Sequence, residues 1–124
     1  MKPKKILIVD ENGFGRICSA LLEMDGYRAE HRAGFKPSAP MRAEDFGLVI
    51  TSYPYGAGVF ESLKGTDVPV LVLSDCISDS LMEEMNKVTR SYCMVKPIDY
   101  DRFNVLIGQV LSGEVGLEGG CRIV

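Results

Sequence analysis

This 124-residue sequence predicts an α/β fold built on a parallel sheet, on three observations. Short unbroken apolar runs recur along the chain, the mark of strands buried on both faces. Segments with apolar residues at helical spacing lie between them. Strand and helix patterns alternate five times, an order that a parallel sheet with crossover helices satisfies.

From the N-terminus, Ile6 to Val9 is the first strand. Asn12 to about Asp25 is a helix with an apolar stripe of Ile17, Leu21, Leu22 and Met24; Asn12 suits its N-cap and Gly26 its stop. Tyr27 to His31 alternates and reads as an edge strand. The stretch AGFKPSAPMRAEDFG should hold a second helix but contains Pro37 and Pro40. Proline removes a donor and clashes with the preceding turn, so this helix is expected to be short, displaced or absent. Leu48 to Thr51 is the third strand, and only VFESLKG remains for an equally irregular third helix. Val70 to Ser74 is the fourth strand. Ser78 to Val88 is the fourth helix, with Leu81, Met82, Met85 and Val88 at core spacing. Cys93 to Val95 is the fifth strand. Asp99 to Leu111 is the fifth helix, apolar at Phe103, Leu106, Ile107, Val110 and Leu111, with Asp99 as its cap. Residues 1–111 form the domain, and the Gly-rich residues 112–124 read as a flexible tail.

Hydrophobic residues make up 46% and charged residues 25%, an ordinary globular balance, so one domain with one core is expected. A net charge of -3 leaves no electrostatic footprint for nucleic acid or an anionic membrane. No apolar run approaches the length of a membrane span, and MKPKK leads directly into a strand rather than a signal peptide. A cytoplasmic location is therefore expected. Cys18, Cys76, Cys93 and Cys121 form no CxxC pair, and His31 is the one histidine. This argues for reduced, mostly buried thiols rather than a zinc site or disulfides.

In an open parallel sheet, ligands bind beyond the carboxyl ends of the strands. Those ends deliver Asp10 and Glu11, Ser52, Ser74, and Lys96 followed by Pro97. Gly13 and Gly15 open a helix after a strand, but Cys18 stands at the third glycine position of a dinucleotide fingerprint, and the paired acids would repel a pyrophosphate.

The same residues carry a family resemblance. ILIVDENGFGR has an apolar strand running into paired acids, with an arginine six positions after the first; FGLVITSY, VPVLVLSD and CMVKP follow in order. In this the chain resembles the response-regulator receiver domain over roughly residues 4 to 111. The resemblance implies a five-stranded parallel sheet of flavodoxin type. It also implies a phosphoacceptor carboxylate at the end of the third strand, a Mg²⁺ held by that carboxylate with Asp10 and Glu11, a hydroxyl at Ser74 and a lysine at Lys96. The acceptor position holds Ser52. A serine hydroxyl without an adjacent base is a poor nucleophile, and loss of one acid weakens Mg²⁺ binding. The aromatic switch position of the family, three before the lysine, is Cys93, with Tyr92 beside it. Thr89 and Arg90 replace a Gly-Ala pair, and the loop after Ser52 carries Tyr53, Pro54 and Tyr55 in place of the family pattern.

The resulting expectation is a pseudo-receiver of two-component phosphorelay signalling. Its phosphorylation site is vestigial, it holds no cofactor beyond a weakened Mg²⁺, and it has no enzymatic activity. It acts by binding a protein, such as a histidine kinase, another regulator or itself, through the family's fourth helix, fifth strand and fifth helix. Two alternatives stand beside it. One is a receiver whose acceptor has moved to Asp10 or Asp75; the other is a small-ligand or nucleotide module using the vacated pocket. For Tyr53 and Tyr55, an exposed sticky patch and packing on their own domain are equally open.

Overall fold

The computed structural model describes residues 5–10, 12–32, 46–53, 57–112 and 120–123. Six strands form one sheet in the order β2-β1-β3-β4-β5-β6, with every adjacent pair parallel. The strands are β1 (Lys5–Val9), β2 (Ala29–Arg32), β3 (Phe46–Ser52), β4 (Val70–Ser74), β5 (Arg90–Val95) and β6 (Gly120–Ile123). The helices are α1 (Asn12–Met24), α2 (Ala57–Ser62), α3 (Asp79–Met85) and α4 (Tyr100–Ser112). The first five strands give the flavodoxin-type order, which reverses direction between β1 and β3.

Strand periodicity builds two cores from one sheet. Alternate residues point to opposite faces, so Ile6, Ile8, Leu48, Ile50, Leu71, Leu73, Tyr92 and Met94 pack beneath α1 and α4. Leu7, Val9, Val49, Val70, Val72 and Cys93 pack beneath α2 and α3.

Helix ends obey their local chemistry. After α1, Gly26 takes φ +90°, the left-handed region that glycine enters without a Cβ penalty. Its N–H donates to the Glu23 carbonyl at 3.0 Å and that of Tyr27 to the Leu22 carbonyl at 3.0 Å, a Schellman closure. Ser78 caps α3 by accepting from the Leu81 N–H at 3.2 Å. Asp99 caps α4, accepting from the N–H groups of Asp101 at 3.0 Å and Arg102 at 3.2 Å. Lys87, just past α3, reaches Glu84 at 3.1 Å and Glu61 of α2 at 3.3 Å, tying those two helices together.

Two expectations change. The stripe read on α1 holds at Leu22, which is buried, but not at Ile17 and Met24, which are 55% and 82% exposed; Cys18, outside that stripe, is buried instead. Gly15, Cys18 and Leu22 form the buried line of the helix, and at Gly15 the His31 ring approaches too closely for a Cβ. Of the segment expected to hold a broken helix, 33–47, residues 33–45 lie outside the described residues and Phe46 and Gly47 open β3; α2 is short, at 6 residues. The tail expected to be flexible differs over residues 120–123. These form β6, with Arg90, Ser91, Tyr92 and Cys93 of β5 opposite Gly120, Cys121, Arg122 and Ile123. A ladder to an open sheet edge satisfies the backbone groups of a short segment whatever its composition.

Candidate functional site

The predicted site residues gather at the carboxyl edge of the sheet, where neighbouring strands end side by side. Val9 is opposite Thr51, Ser52 opposite Leu73, and Ser74 opposite Val95. Asp10, Ser52, Ser74 and Lys96 therefore follow one another along the edge in strand order β1, β3, β4, β5. Asp10 and Ser52 stand at the point where the strand order reverses, the place in such sheets where ligands bind. Glu11 lies outside the described residues.

At this reversal the chemistry is closed on itself. Ser52 Oγ donates to Asp10 Oδ2 at 2.5 Å, within the range of a charge-assisted O–H···O⁻ bond. Asp10 is 2% and Ser52 5% exposed. Thr51 Oγ1 donates to the Val9 carbonyl at 2.8 Å and binds β3 to β1 just below. A second carboxylate at position 52 could offer no proton to Asp10, and two buried acids in contact need a cation or a raised pKa. A hydroxyl donor removes that need.

Other edge hydroxyls are similarly engaged. Ser74 Oγ donates to the Cys76 carbonyl at 2.7 Å, turned into its own loop. Lys96 is exposed at the end of β5, with its backbone N–H donating to the Ser74 carbonyl at 2.8 Å; the Lys96–Pro97 peptide is cis. Asp75, one residue past Ser74, is exposed.

Two features escaped the sequence reading. His31, at the end of β2, places Nε2 3.0 Å from the Asp10 carbonyl oxygen; a carbonyl only accepts, so Nε2 is the donor. The imidazole lies against Gly15, where an added Cβ would fall 2.0 Å from Nε2. The glycine of the GFG run is there for a histidine, not a phosphate. The available signal was the pairing of a lone histidine on an edge strand with a glycine in the first turn of the neighbouring helix. Cys18 lies under the same corner. Burial, with the Asp10 charge behind it, pushes its thiol up to about 12. Cys18 and Cys93 are buried as expected, whereas Cys76 is exposed.

Strand periodicity sends Cys93 and its neighbour Tyr92 to opposite faces of the sheet. Cys93 points into the core beneath α2 and α3. Tyr92 points to the opposite face, beneath α1 and α4, so it does not stand in for an aromatic at position 93. Tyr53 packs against its own domain's core; Tyr55 lies outside the described residues.

No protein-family model and no curated protein matches this chain. Solved structures do. The non-phosphorylated HemR receiver domain from Leptospira biflexa is 24% identical, over 90% of this chain and 95% of that one, with a TM-score of 0.63. A CheY-like response regulator receiver domain protein from Methanospirillum hungatei JF-1 is 18% identical, over 91% and 97%, with a TM-score of 0.70. A response regulator protein from Burkholderia multivorans is 22% identical, over 88% and 95%, with a TM-score of 0.63. The fold is that of a response-regulator receiver domain. Among the described residues no helix is long and apolar enough to cross a membrane.

The receiver fold raises the question of Mg²⁺. Asp10 Oδ2 already accepts the Ser52 hydrogen bond, and no group of three His, Cys, Asp or Glu side chains is gathered among the described residues. Mg²⁺ favours near-octahedral oxygen coordination anchored by carboxylates. Asp10 is the one expected carboxylate ligand among the described residues, since Glu11 lies outside them.

Proposed function

We propose that this chain is a receiver-like module of two-component signalling that works without phosphorylation and acts by binding another protein. The Ser52–Asp10 hydrogen bond carries this reading. In a phosphoaccepting site, a carboxylate attacks phosphorus while a cation neutralises the phosphoryl oxygens. Here the attacking position is a buried hydroxyl, and its proton is committed to the carboxylate that would help bind the cation. Mg²⁺ binding is correspondingly weak. Cys93 at the switch position and the Ser74 hydroxyl bonded within its own loop support loss of the relay as well.

The proposed contact surface is α3, β5 and α4, and a histidine kinase, another regulator or a second copy of the chain is the partner class. β6 lies along β5 within that surface, so its composition differs from the sequence expectation.

Intact-mass spectrometry after incubation with Mg²⁺ and acetyl phosphate tests the reading. The wild type is expected to keep its mass, while Ser52→Asp gains a phosphoryl group. A hydroxylamine-labile adduct on the wild type would overturn the proposal and point to another carboxylate, with exposed Asp75 the first to replace.

A further inference from the structure

α1 carries two apolar stripes, and the domain's own core takes only one of them. Gly15, Cys18 and Leu22 are buried. Ile17, Ala20, Leu21 and Met24 recur at i, i+3, i+4 and i+7, the spacing of a single helix face. Leu21 is half-buried, while Ile17, Ala20 and Met24 are exposed. The charges beside this second stripe have a pattern of their own. Arg16 and Glu23, both exposed, lie seven residues apart on one flank of it. α1 has no acidic residue in its first turn and no basic residue in its last. Glu23 stands in that last turn, where the helix macrodipole disfavours an anion. Stability of the isolated helix therefore does not account for its place.

From these observations we infer that the exposed face of α1 is a dimerisation surface for a second copy of this chain, packed α1 on α1, antiparallel, about a twofold axis. The order of the charges selects that occupant. In heptad terms Ile17 and Met24 take a positions, Ala20 a d position, and Arg16 and Glu23 g positions. A twofold between antiparallel helices brings the same flank of each together, so Arg16 of each copy meets Glu23 of the other. The face is thus complementary to itself, as an isologous interface requires. A parallel pair would set Arg16 beside Leu21 instead. The antiparallel pair also carries Glu23 toward the positive, N-terminal half of the other α1, which offsets its unfavourable place in its own helix. Ala20, the smallest residue of the stripe, lets the two helices approach closely. Two 13-residue helices bury less than the roughly 1,200 Å² of a stable complex, so the dimer is a weak one. This face is separate from α3, β5 and α4 and leaves the proposed contact surface free for another protein.

Sedimentation equilibrium of the full chain, from about 1 μM to about 1 mM, tests this with two charge reversals, Arg16→Glu and Glu23→Arg. The buffer is reducing, because Cys76 is an exposed thiol. Both reversed side chains are exposed, and each new charge suits the half of the helix it occupies, so both variants fold. The wild type is expected to pass from monomer to dimer across the range. Each reversal alone turns both symmetry-related contacts into like-charge pairs and is expected to weaken self-association about tenfold. Mixed in equal amounts, the two variants again place opposite charges at both contacts. The mixture is expected to dimerise within about threefold of the wild type, a rescue that misfolding or pairing through another face does not produce. Ile17→Ser combined with Met24→Ser is expected to leave only monomer. A wild type that stays monomeric throughout would overturn the inference. So would a dimer that the reversals leave unchanged or that mixing does not restore, since its contact would then lie on another face. Neither result bears on phosphoryl transfer, which the mass measurement reads separately.

Discussion

The two faces of the sheet are covered by very different helices. Beneath α1 and α4, each 13 residues long, the core is rich in Ile and Leu and is closed by Leu22, Phe103 and Ile107. Beneath α2 and α3, of 6 and 7 residues, the sheet contributes mainly Val and Cys93. Short helices present one or two inward turns, so smaller strand side chains bring the layers together. The short-helix face is also the one toward which Cys93 points. That face is the more lightly built one, and its helices are held by the Ser78 cap and the Lys87 bridge.

Truncation of Phe103 and Phe60, both fully buried, tests this difference most strongly. Phe103→Ala on α4 is expected to cost toward the upper end of about 3–5 kcal/mol, and Phe60→Ala on α2 toward the lower end, because a short helix relaxes into the cavity. Urea unfolding of both variants measures it; equal costs would remove the distinction between the faces.

Next in size is the corner where α1 meets β2. Gly15→Ala forces a methyl into the His31 ring and is expected to cost about 1–3 kcal/mol. In a double-mutant cycle, His31→Ala should recover at least about 0.5 kcal/mol of that loss as coupling. Simple additivity would show that the ring does not dictate the glycine.

A similar cost is expected at the strand ends that join the two faces. Ser52→Ala removes the donor to a buried carboxylate and should cost about 1–3 kcal/mol. Ser52→Asp sets two carboxyls together, so folding raises one pKa above its unfolded value of about 3.9. A group raised by folding stabilises fully below its unfolded pKa and loses that contribution as pH rises through the folded value. Ser52→Asp should therefore be more stable near about pH 5 than near about pH 8, a slope that Ser52 itself does not generate. Thermal unfolding across that range measures it, and a flat profile would remove contact between positions 10 and 52.

The smallest effects belong to the caps. Ser78→Ala on α3 and Asp99→Ala on α4 should each cost about 1 kcal/mol. Urea titration should show the Ser78 loss to be no smaller, since a 7-residue helix has few other bonds to hold its start.

Much of the molecule was legible in the residues. The continuous apolar runs marked β1, β3, β4 and β5 because strands buried on both faces leave no room for polar residues. Asp99 announced the start of α4 by its side-chain chemistry. Asp10, Ser52, Ser74 and Lys96 could be placed on one edge because parallel strands end together. The rotation of α1 was not legible. Ile17 and Met24 fit a helical stripe with Leu22 as well as Cys18 does, and which of them is buried depends on how the helix packs on the sheet. Nor was β6 legible, since GCRI has no apolar pattern and an edge ladder asks only for backbone groups.

The sequence by itself determined the strand and helix periodicities, the alternation that implies a parallel sheet, and the presence of a hydroxyl, Ser52, at the end of the third strand. These depend on residue identity and on spacing over a few positions. The tertiary structure alone decided that the Ser52 hydroxyl closes on Asp10, that His31 binds the Asp10 carbonyl, and that residues 120–123 complete the sheet. The first two contacts join residues 42 and 21 positions apart, and the third joins strands separated by α4. No local pattern encodes such a meeting; it exists only once the core has packed and brought distant backbone into register.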